Sequence, residues 1–170
     1  MPASAAARSR PRPAGLLLAF ASLLGLAGCA ISSGFKGPGW DARAGVTAPG
    51  DGPVIIALTE AVLKPGLQTR SVFMAETRRV EATLRGQPGL VGWSLRMEPL
   101  GRRLWTMTVW TDEDSLRAFV RGDAHRAAVR AARDTLDGAT FARARVSRGD
   151  LPVDWERALA ILAKEGYVYN

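Results

Sequence analysis

The chain of 170 residues has only one cysteine, Cys29, and one histidine, His125. A single cysteine excludes a disulfide within the chain, and the two residues together exclude the thiolate and imidazole sets that hold zinc. The carboxylates show no EF-hand spacing, and no Gly-x-Ser-x-Gly turn presents a serine nucleophile. The sequence therefore predicts no metal site and no hydrolase triad.

The first 28 residues have the order of features found in an export signal. Arg8, Arg10 and Arg12 precede the apolar run "GLLLAFASLLGLA", and "LAGC" follows, ending at Cys29. This tetrapeptide resembles the lipobox of bacterial lipoproteins, which implies a signal peptide over residues 1–28, lipidation of Cys29, and, with Ala30 next, an outer membrane location facing the periplasm. The alternative is an uncleaved anchor, although the run is shorter than the roughly 20 residues that span a bilayer.

Charge and composition describe the rest of the chain. Of the 23 basic and 16 acidic residues, three basic ones lie in the first 28, which leaves 20 against 16, or +4, afterwards. This is an ordinary charge for a soluble domain and does not indicate nucleic-acid binding. Residues 29–52 are rich in Gly and Pro and are predicted to be a flexible tether from Cys29, while residues 53–170 suffice for one domain.

Patterns of apolar residues predict the order of elements in that domain. A branched run over 54–63 predicts a strand, and helical spacing over 67–85 predicts a helix. Two strand-like runs around Gly101 predict a hairpin, and a helix interrupted at Gly122-Asp123, with a new cap at Asp123, follows. A fourth strand over 139–146 and a final helix over 154–166 complete the set. This order is the split βαβ pattern of the α+β, ferredoxin-like fold, with helices on one face of an antiparallel sheet.

Two segments resemble a known family. "GQPGLVGWSLRMEP" and "VWTDEDSLRAFVRGDAHRAAVR" are similar to motifs of the antibiotic biosynthesis monooxygenase domains, over roughly residues 53–148. The resemblance implies the dimeric α/β-barrel superfamily, in which two copies pack their sheets face to face, so that a homodimer would cover the open sheet face. It also implies cofactor-free oxygenation of quinol-like aromatic substrates, or haem degradation. Phe119 and Val129 stand where the haem-degrading branch has Trp and His, which disfavours haem, so we predict no cofactor.

Alternation along the strands predicts which residues share the open face. Trp93, Leu95 and Met97 are assigned to the helix-facing core together with Trp105, Met107 and Val109, and with Ala142, Ala144 and Val146. The opposite face is assigned Ser94, Arg96 and Glu98; Thr106, Thr108 and Trp110; Phe141, Arg143 and Arg145; and Ile55, Ala57 and Thr59. Three arginines on one face can hold an acidic ligand, because a guanidinium pairs with a carboxylate through two hydrogen bonds. The alternative is that they pair with Glu98 or line a wet dimer interface.

His125 is the candidate base. Placed in the first turn of a helix, it lies on the flank of the apolar face, from which it can reach a cleft, water or an interface. The predicted site therefore has His125 as base and Trp110 as a wall, with Arg96, Arg143, Arg145, Thr106 and Thr108 as binding residues for an aromatic or acidic small molecule. The alternative function is a non-catalytic binding or envelope-interaction module on the same fold.

Overall fold

The computed structural model describes residues 29–168. The predicted signal peptide lies outside these residues. The strands are β1 (Ile31–Ser32), β2 (Trp40–Asp41), β3 (Gly45–Val46), β4 (Val54–Leu63), β5 (Leu90–Met97), β6 (Arg103–Trp110), β7 (Leu136–Val146) and β8 (Tyr167–Val168), and the α-helices are α1 (Leu67–Leu84), α2 (Glu113–Arg121), α3 (Asp123–Ala132) and α4 (Trp155–Glu165). Between residues 29 and 168 no helix is both long and apolar enough to cross a membrane.

The main sheet confirms the predicted α+β fold. Its six strands run in the order β1-β5-β6-β4-β7-β8, and every neighbouring pair is antiparallel. The central strands β4, β5, β6 and β7 are the four predicted strands, with α1 and then α2 and α3 as the connections between them. The helix break also occurs where predicted, although Gly122 caps α3 and Asp123 is its first residue. The backbone at Gly122 is extended, with φ −62° and ψ 146°, and this separates α2 from α3.

Both faces of the sheet are covered. The face that holds Ile55, Trp93 and Trp110 packs against α1 and α2. The face that holds Ile56 and Met107 packs against α4 and the N-terminal residues 30–48. The prediction was right that Trp93 and Leu95 of β5 face these helices. It was wrong for β6 and β7, whose buried residues Trp105, Met107, Val109, Ala142 and Val146 belong to the opposite face. With apolar residues on both faces of the central strands, alternation alone does not label one face as the outer one.

Strand β5 is shifted relative to the predicted pattern. Its pairing with β6 changes register between Leu90 and Gly92, so that Trp93 lies opposite Thr108 and Arg96 lies opposite Trp105. Trp93 and Leu95 consequently share the face of Thr106 and Thr108, and Ser94 and Arg96 share the face of Trp105 and Met107. A one-residue shift moves every side chain of a strand to the other face. The predicted grouping of Trp93 with Trp105 was wrong for this reason.

Residues predicted as a flexible tether are instead folded onto the domain. Ser33 N–H donates to the Leu95 carbonyl at 2.8 Å, and Trp93 and Lys36 exchange backbone hydrogen bonds of 2.7 and 3.1 Å. Ser94, buried in β5, donates from its hydroxyl to the Ser33 carbonyl at 2.8 Å and accepts from Trp155 Nε1 of α4 at 3.1 Å. We call residues 30–48 the N-terminal strap, since they run along the edge of β5 and over one sheet face.

Glycines in the strap allow close contact rather than flexibility. A Cβ on Gly37 would lie 2.2 Å from the Gly92 Cα, so the two backbones meet only because both residues lack side chains. Phe35 and Trp40 pack edge to face with ring centroids 5.4 Å apart and close over the sheet core. Arg148 fixes the end of the segment by donating to the carbonyls of Ala48, Pro49 and Gly52.

Because this sheet face is covered, we predict that the protein is a monomer in solution. The strap and α4 occupy the face that the sequence left for a second copy, and Ile56 and Val109 beneath them are fully buried. Light scattering on residues 30–170 at micromolar concentration is therefore expected to give the mass of a single chain. A mass of two chains that persists on dilution would contradict this expectation and restore the face-to-face homodimer.

Candidate functional site

A cavity of about 520 Å³ lies between the sheet and the helices α1 and α3. This volume is in the range of small-molecule sites, and its surface is mainly apolar. Small side chains of the sheet leave the space open, because the floor contains Ala57, Thr59, Thr106 and Thr108. The helices contribute Phe73, Val80, Ala128 and Val129, and the end wall is formed by Phe119 and His125.

His125 lies at the cavity wall in contact with Phe119. Its ring packs edge-on against Phe119 with centroids 4.9 Å apart, and a ring N–H donates to the Val120 backbone carbonyl. Burial lowers the pKa of His125 below its ordinary value of 6.5, and the hydrogen bond to Val120 opposes this shift without cancelling it. The imidazole is therefore neutral at pH 7. Since a neutral imidazole has one N–H and one bare nitrogen, the second nitrogen can accept a proton.

Trp110 lies behind the cavity rather than in its wall. Its side chain is completely buried, stacks on Phe119 at a centroid distance of 5.0 Å, and donates from Nε1 to the Thr108 hydroxyl at 2.9 Å. The predicted wall role thus falls to Phe119. Because Thr108 accepts this hydrogen bond, its own hydroxyl proton is left for a ligand.

Two threonines form a polar spot on an otherwise apolar floor. Thr59 and Thr106 are cross-strand partners on β4 and β6, and both line the cavity. In the part of the chain that the structure describes, neither hydroxyl hydrogen-bonds to another protein group. A ligand oxygen above the floor would supply the missing partner, since pockets orient ligands with a few well-placed polar groups. The predicted residues Thr106 and Thr108 do lie at the cavity, and Thr59 belongs with them.

The predicted three-arginine site is not formed. Arg143 lines the cavity, is 40% exposed, and has a guanidinium nitrogen 3.8 Å from Glu113 Oε2. Arg145 is exposed and does not line the cavity. Arg96 lies on the opposite sheet face, where its guanidinium stacks over Trp105 at 5.8 Å. The register of β5 separates Arg96 from the other two, so Arg143 alone of the three predicted arginines lines the cavity, together with Arg133, which was not predicted.

A charged cluster that sequence patterns did not predict lies beside the floor of the cavity. Trp93 Nε1 donates to Glu81 Oε1 at 3.0 Å, and Lys36 Nζ of the strap lies 2.9 Å from the same oxygen. Burial raises the pKa of Glu81, but the hydrogen bonds from Lys36 and Trp93 outweigh it and the pKa is lowered overall. Glu81 is therefore ionised and holds Trp93 in place. Lys36 belonged to the supposed tether, so spacing could not connect it with α1.

A ferredoxin-like sheet with a ligand-sized cavity under its helices defines the class of this domain. The family model of antibiotic biosynthesis monooxygenase matches residues 63–131, which include α1, β5, β6, α2 and most of α3. The domain is accordingly similar to that family in sequence over this segment. No curated protein matches the sequence. Within residues 29–168, no group of three or more His, Cys, Asp or Glu side chains is placed to hold a metal ion.

Solved structures with the same fold support this class. A conserved protein from Methanosarcina mazei Go1 superposes with a TM-score of 0.51 and 18% identity, covering 56% of this chain and 94% of that one. A protein from Caulobacter crescentus CB15, named as a candidate antibiotic biosynthesis monooxygenase, gives 0.50 and 16%, with coverage of 56% and 92%. A third structure, an antibiotic biosynthesis monooxygenase, gives 0.50 and 12%, with coverage of 54% and 97%. At these identities the similarity establishes the fold.

Proposed function

We propose that the cavity binds an electron-rich aromatic or enol compound and that His125 starts its oxygenation by removing a proton. The observation that carries this proposal is the half-buried imidazole of His125 at the wall of a mainly apolar cavity of about 520 Å³, where burial lowers its pKa. A base with an unprotonated nitrogen at the wall of an apolar cavity can take a proton from an acidic C–H or O–H group of a bound compound. The match of residues 63–131 to the monooxygenase family supports the same chemistry.

The reaction needs only the substrate and molecular oxygen. Proton transfer to His125 leaves a carbanion or enolate, which gives one electron to O₂, and the two radicals combine to form a C–O bond to a peroxide. The proton held by His125 passes to the peroxide anion. The hydroperoxide then loses water, which takes the hydrogen that remained on the oxygenated carbon, and a carbonyl group is left. One oxygen atom enters the product and the other leaves as water, so that atoms and electrons balance.

The floor threonines and Arg143 would position this substrate. Thr59 and Thr106 offer hydroxyl donors to an oxygen on the ring system, where they stabilise the charge that develops on proton removal. Arg143 at the rim would pair with a carboxylate, because its contact with Glu113 is long at 3.8 Å. An apolar body with one acidic substituent fits these groups best.

Oxygen uptake tests the proposal. The protein is mixed with a panel of hydroquinones and anthrone-like compounds, and oxygen consumption is followed together with product mass under ¹⁸O₂. The expected product has gained one labelled oxygen and lost two hydrogens. Saturable binding of these compounds without any oxygen uptake would instead establish a non-catalytic binding module on the same cavity.

Arg143→Ala is expected to weaken binding of an acidic ligand by about three- to tenfold, since one charge-assisted hydrogen bond at a half-exposed site is lost. Titration calorimetry with a carboxylated naphthol and with its methyl ester measures the effect, and only the acid should respond. Arg145→Ala on the same strand is the matched control, because that side chain lies outside the cavity. Equal losses for acid and ester would show that Arg143 acts through the fold and not through charge.

We also propose that the protein is a lipoprotein attached to the outer membrane through Cys29 and facing the periplasm. The "LAGC" motif with its basic and apolar leader supports this attachment, and Cys29 is exposed at the beginning of the described residues. Palmitate labelling that is lost in Cys29→Ala would test the attachment.

A further inference from the structure

One end of the sheet carries exposed apolar side chains. Leu67 is 89% exposed, Leu100 is 81% exposed and Ile31 is 57% exposed. We call this region the hairpin end, formed by Ile31, Leu67 and the turn at residues 98–102 between β5 and β6. Large aliphatic side chains exposed to this degree at one end of a domain indicate a contact surface.

Hydrogen bonds bring the three parts of the hairpin end together. Ile31 pairs with Met97 at the last residue of β5. Arg70, in the first turn of α1, donates to the carbonyls of Gly101 and Glu98 at 2.9 and 3.0 Å, which places the start of α1 beside the turn. Leu63 N–H, at the end of β4, donates to the Arg102 carbonyl. The exposed leucines therefore belong to one surface of fixed shape.

The charges on this surface nearly balance. Its cations are Lys64, Arg70, Arg102, Arg103 and, further out, Arg133, and its carboxylates are Glu60, Glu98, Asp134 and Asp137. Arg102 is paired with Asp137, and Arg103 lies 3.8 Å from Glu60. The remaining excess is about one positive charge, so burial of the apolar side chains would outweigh electrostatic attraction at this surface.

The chain reaches the hairpin end directly from its apolar leader. Because β1 is antiparallel to β5, the residues before Ile31 continue past Met97 towards Pro99 and Leu100. Cys29 is two residues before Ile31, a distance of about 7 Å in an extended chain. The run "GLLLAFASLLGLA" lies just before Cys29. Whether acyl chains on Cys29 or this run itself enters the bilayer, the membrane lies within that short distance of the hairpin end.

We infer that the hairpin end docks on the lipid bilayer, with Leu67 and Leu100 inserted among the headgroups and upper acyl chains. This inference rests on the proposed membrane attachment at Cys29. The hairpin end binds a lipid bilayer in this proposal, because the apolar run before Cys29 and the proposed acyl chains lie only two residues from Ile31. The domain would then lie against the membrane in one orientation. A flexible tether over residues 29–52 would instead have let it move away from the membrane and rotate.

Site-specific fluorescence on the full chain tests the docking. Leu100→Cys is labelled with an environment-sensitive dye after purification from membranes and reconstitution into vesicles of phosphatidylethanolamine and phosphatidylglycerol that contain doxyl lipid. Ser147→Cys, exposed at the other end of β7, is the matched control. We expect the doxyl lipid to quench the dye at position 100 about twofold or more, with little quenching at position 147.

The possible results separate docking from attachment. In the unsubstituted chain an acylated Cys29 cannot react with the dye, so absence of labelling there confirms attachment before the comparison is made. Equal quenching at positions 100 and 147 in a chain that is attached would overturn the docking surface alone. Labelling of Cys29 itself, with the protein in the aqueous fraction, would overturn the attachment and the docking together.

Discussion

His125→Ala is expected to lower kcat for oxygen uptake by about 10²- to 10⁴-fold, which is the usual contribution of a positioned general base. The substitution removes the nitrogen that accepts the substrate proton and leaves the floor threonines in place. KM should change much less than kcat, because binding relies on the apolar walls and on Thr59, Thr106 and Arg143. Steady-state oxygen electrode measurements at saturating substrate would provide both constants.

The pH profile provides an independent test of His125. Only the neutral imidazole is active, and burial lowers the pKa of His125 from its ordinary value of 6.5. A lowered pKa keeps the ring neutral further into the acid range. The log of kcat/KM should therefore stay level as pH falls through 6.5 and decline only below it, with a slope of about one.

A neighbouring residue controls for damage to the helix. Arg126→Ala removes an exposed side chain from the same turn of α3 and should leave kcat and the pH profile unchanged. Thermal unfolding of both variants would show whether either one has lost structure. If His125→Ala kept full turnover while still folded, the base would have to be sought elsewhere in the cavity.

Gly37→Ala is expected to reduce the free energy of unfolding by about 1–3 kcal/mol, in the range of substitutions that overfill a packed interior. The new methyl group would meet the Gly92 Cα at 2.2 Å and the Val91 carbonyl oxygen at 2.3 Å, and neither backbone atom can move alone. The strap must then lift from β5, which weakens the strand contacts and uncovers one sheet face. Urea unfolding measures the loss, and limited proteolysis should cut within residues 30–48.

Gly34→Ala in the same strap is the matched control. No atom lies within 4 Å of its added methyl group, so its stability and proteolysis pattern should resemble those of the unchanged protein. Equal destabilisation by both substitutions would indicate that the strap needs glycine for backbone freedom. No destabilisation by either would mean that the strap is not held against β5.

The sequence predicted the fold because each element carries its own local signal. The run over Val54–Leu63, the helix start near Leu67 and the break at Gly122 all lie where the patterns placed them. Placement across the sheet was harder. The shift between Leu90 and Gly92 moved Arg96 to the other face. Its local signal is a single glycine within the strand, Gly92, which does not by itself fix the pairing with β6.

The candidate site was partly predictable for the same reason. His125, Thr106 and Thr108 are brought together by α3 and β6, whose periodicity was clear. Glu81 resembled an ordinary solvent-facing residue of a helix, and its partner Lys36 lay in a stretch whose glycines suggested freedom of movement. A glycine-rich segment is flexible only if it does not pack against another part of the chain. Here the strap packs against β5 at Gly92, a contact that only the three-dimensional structure shows.

Terminal segments cover both outer edges of the four central strands, since β1 and the rest of the strap bond to β5 and β8 pairs with β7. Neither segment lies within the part matched by the family model. Open strand edges recruit edges from other molecules, and such pairing leads to aggregation. The membrane attachment proposed above would concentrate copies of the chain on one surface, where they meet often. The terminal segments would then protect these edges from such pairing. Removal of the residues from Tyr167 onwards, which leaves the strap and α4 in place, should therefore give a domain that folds but associates through the edge of β7.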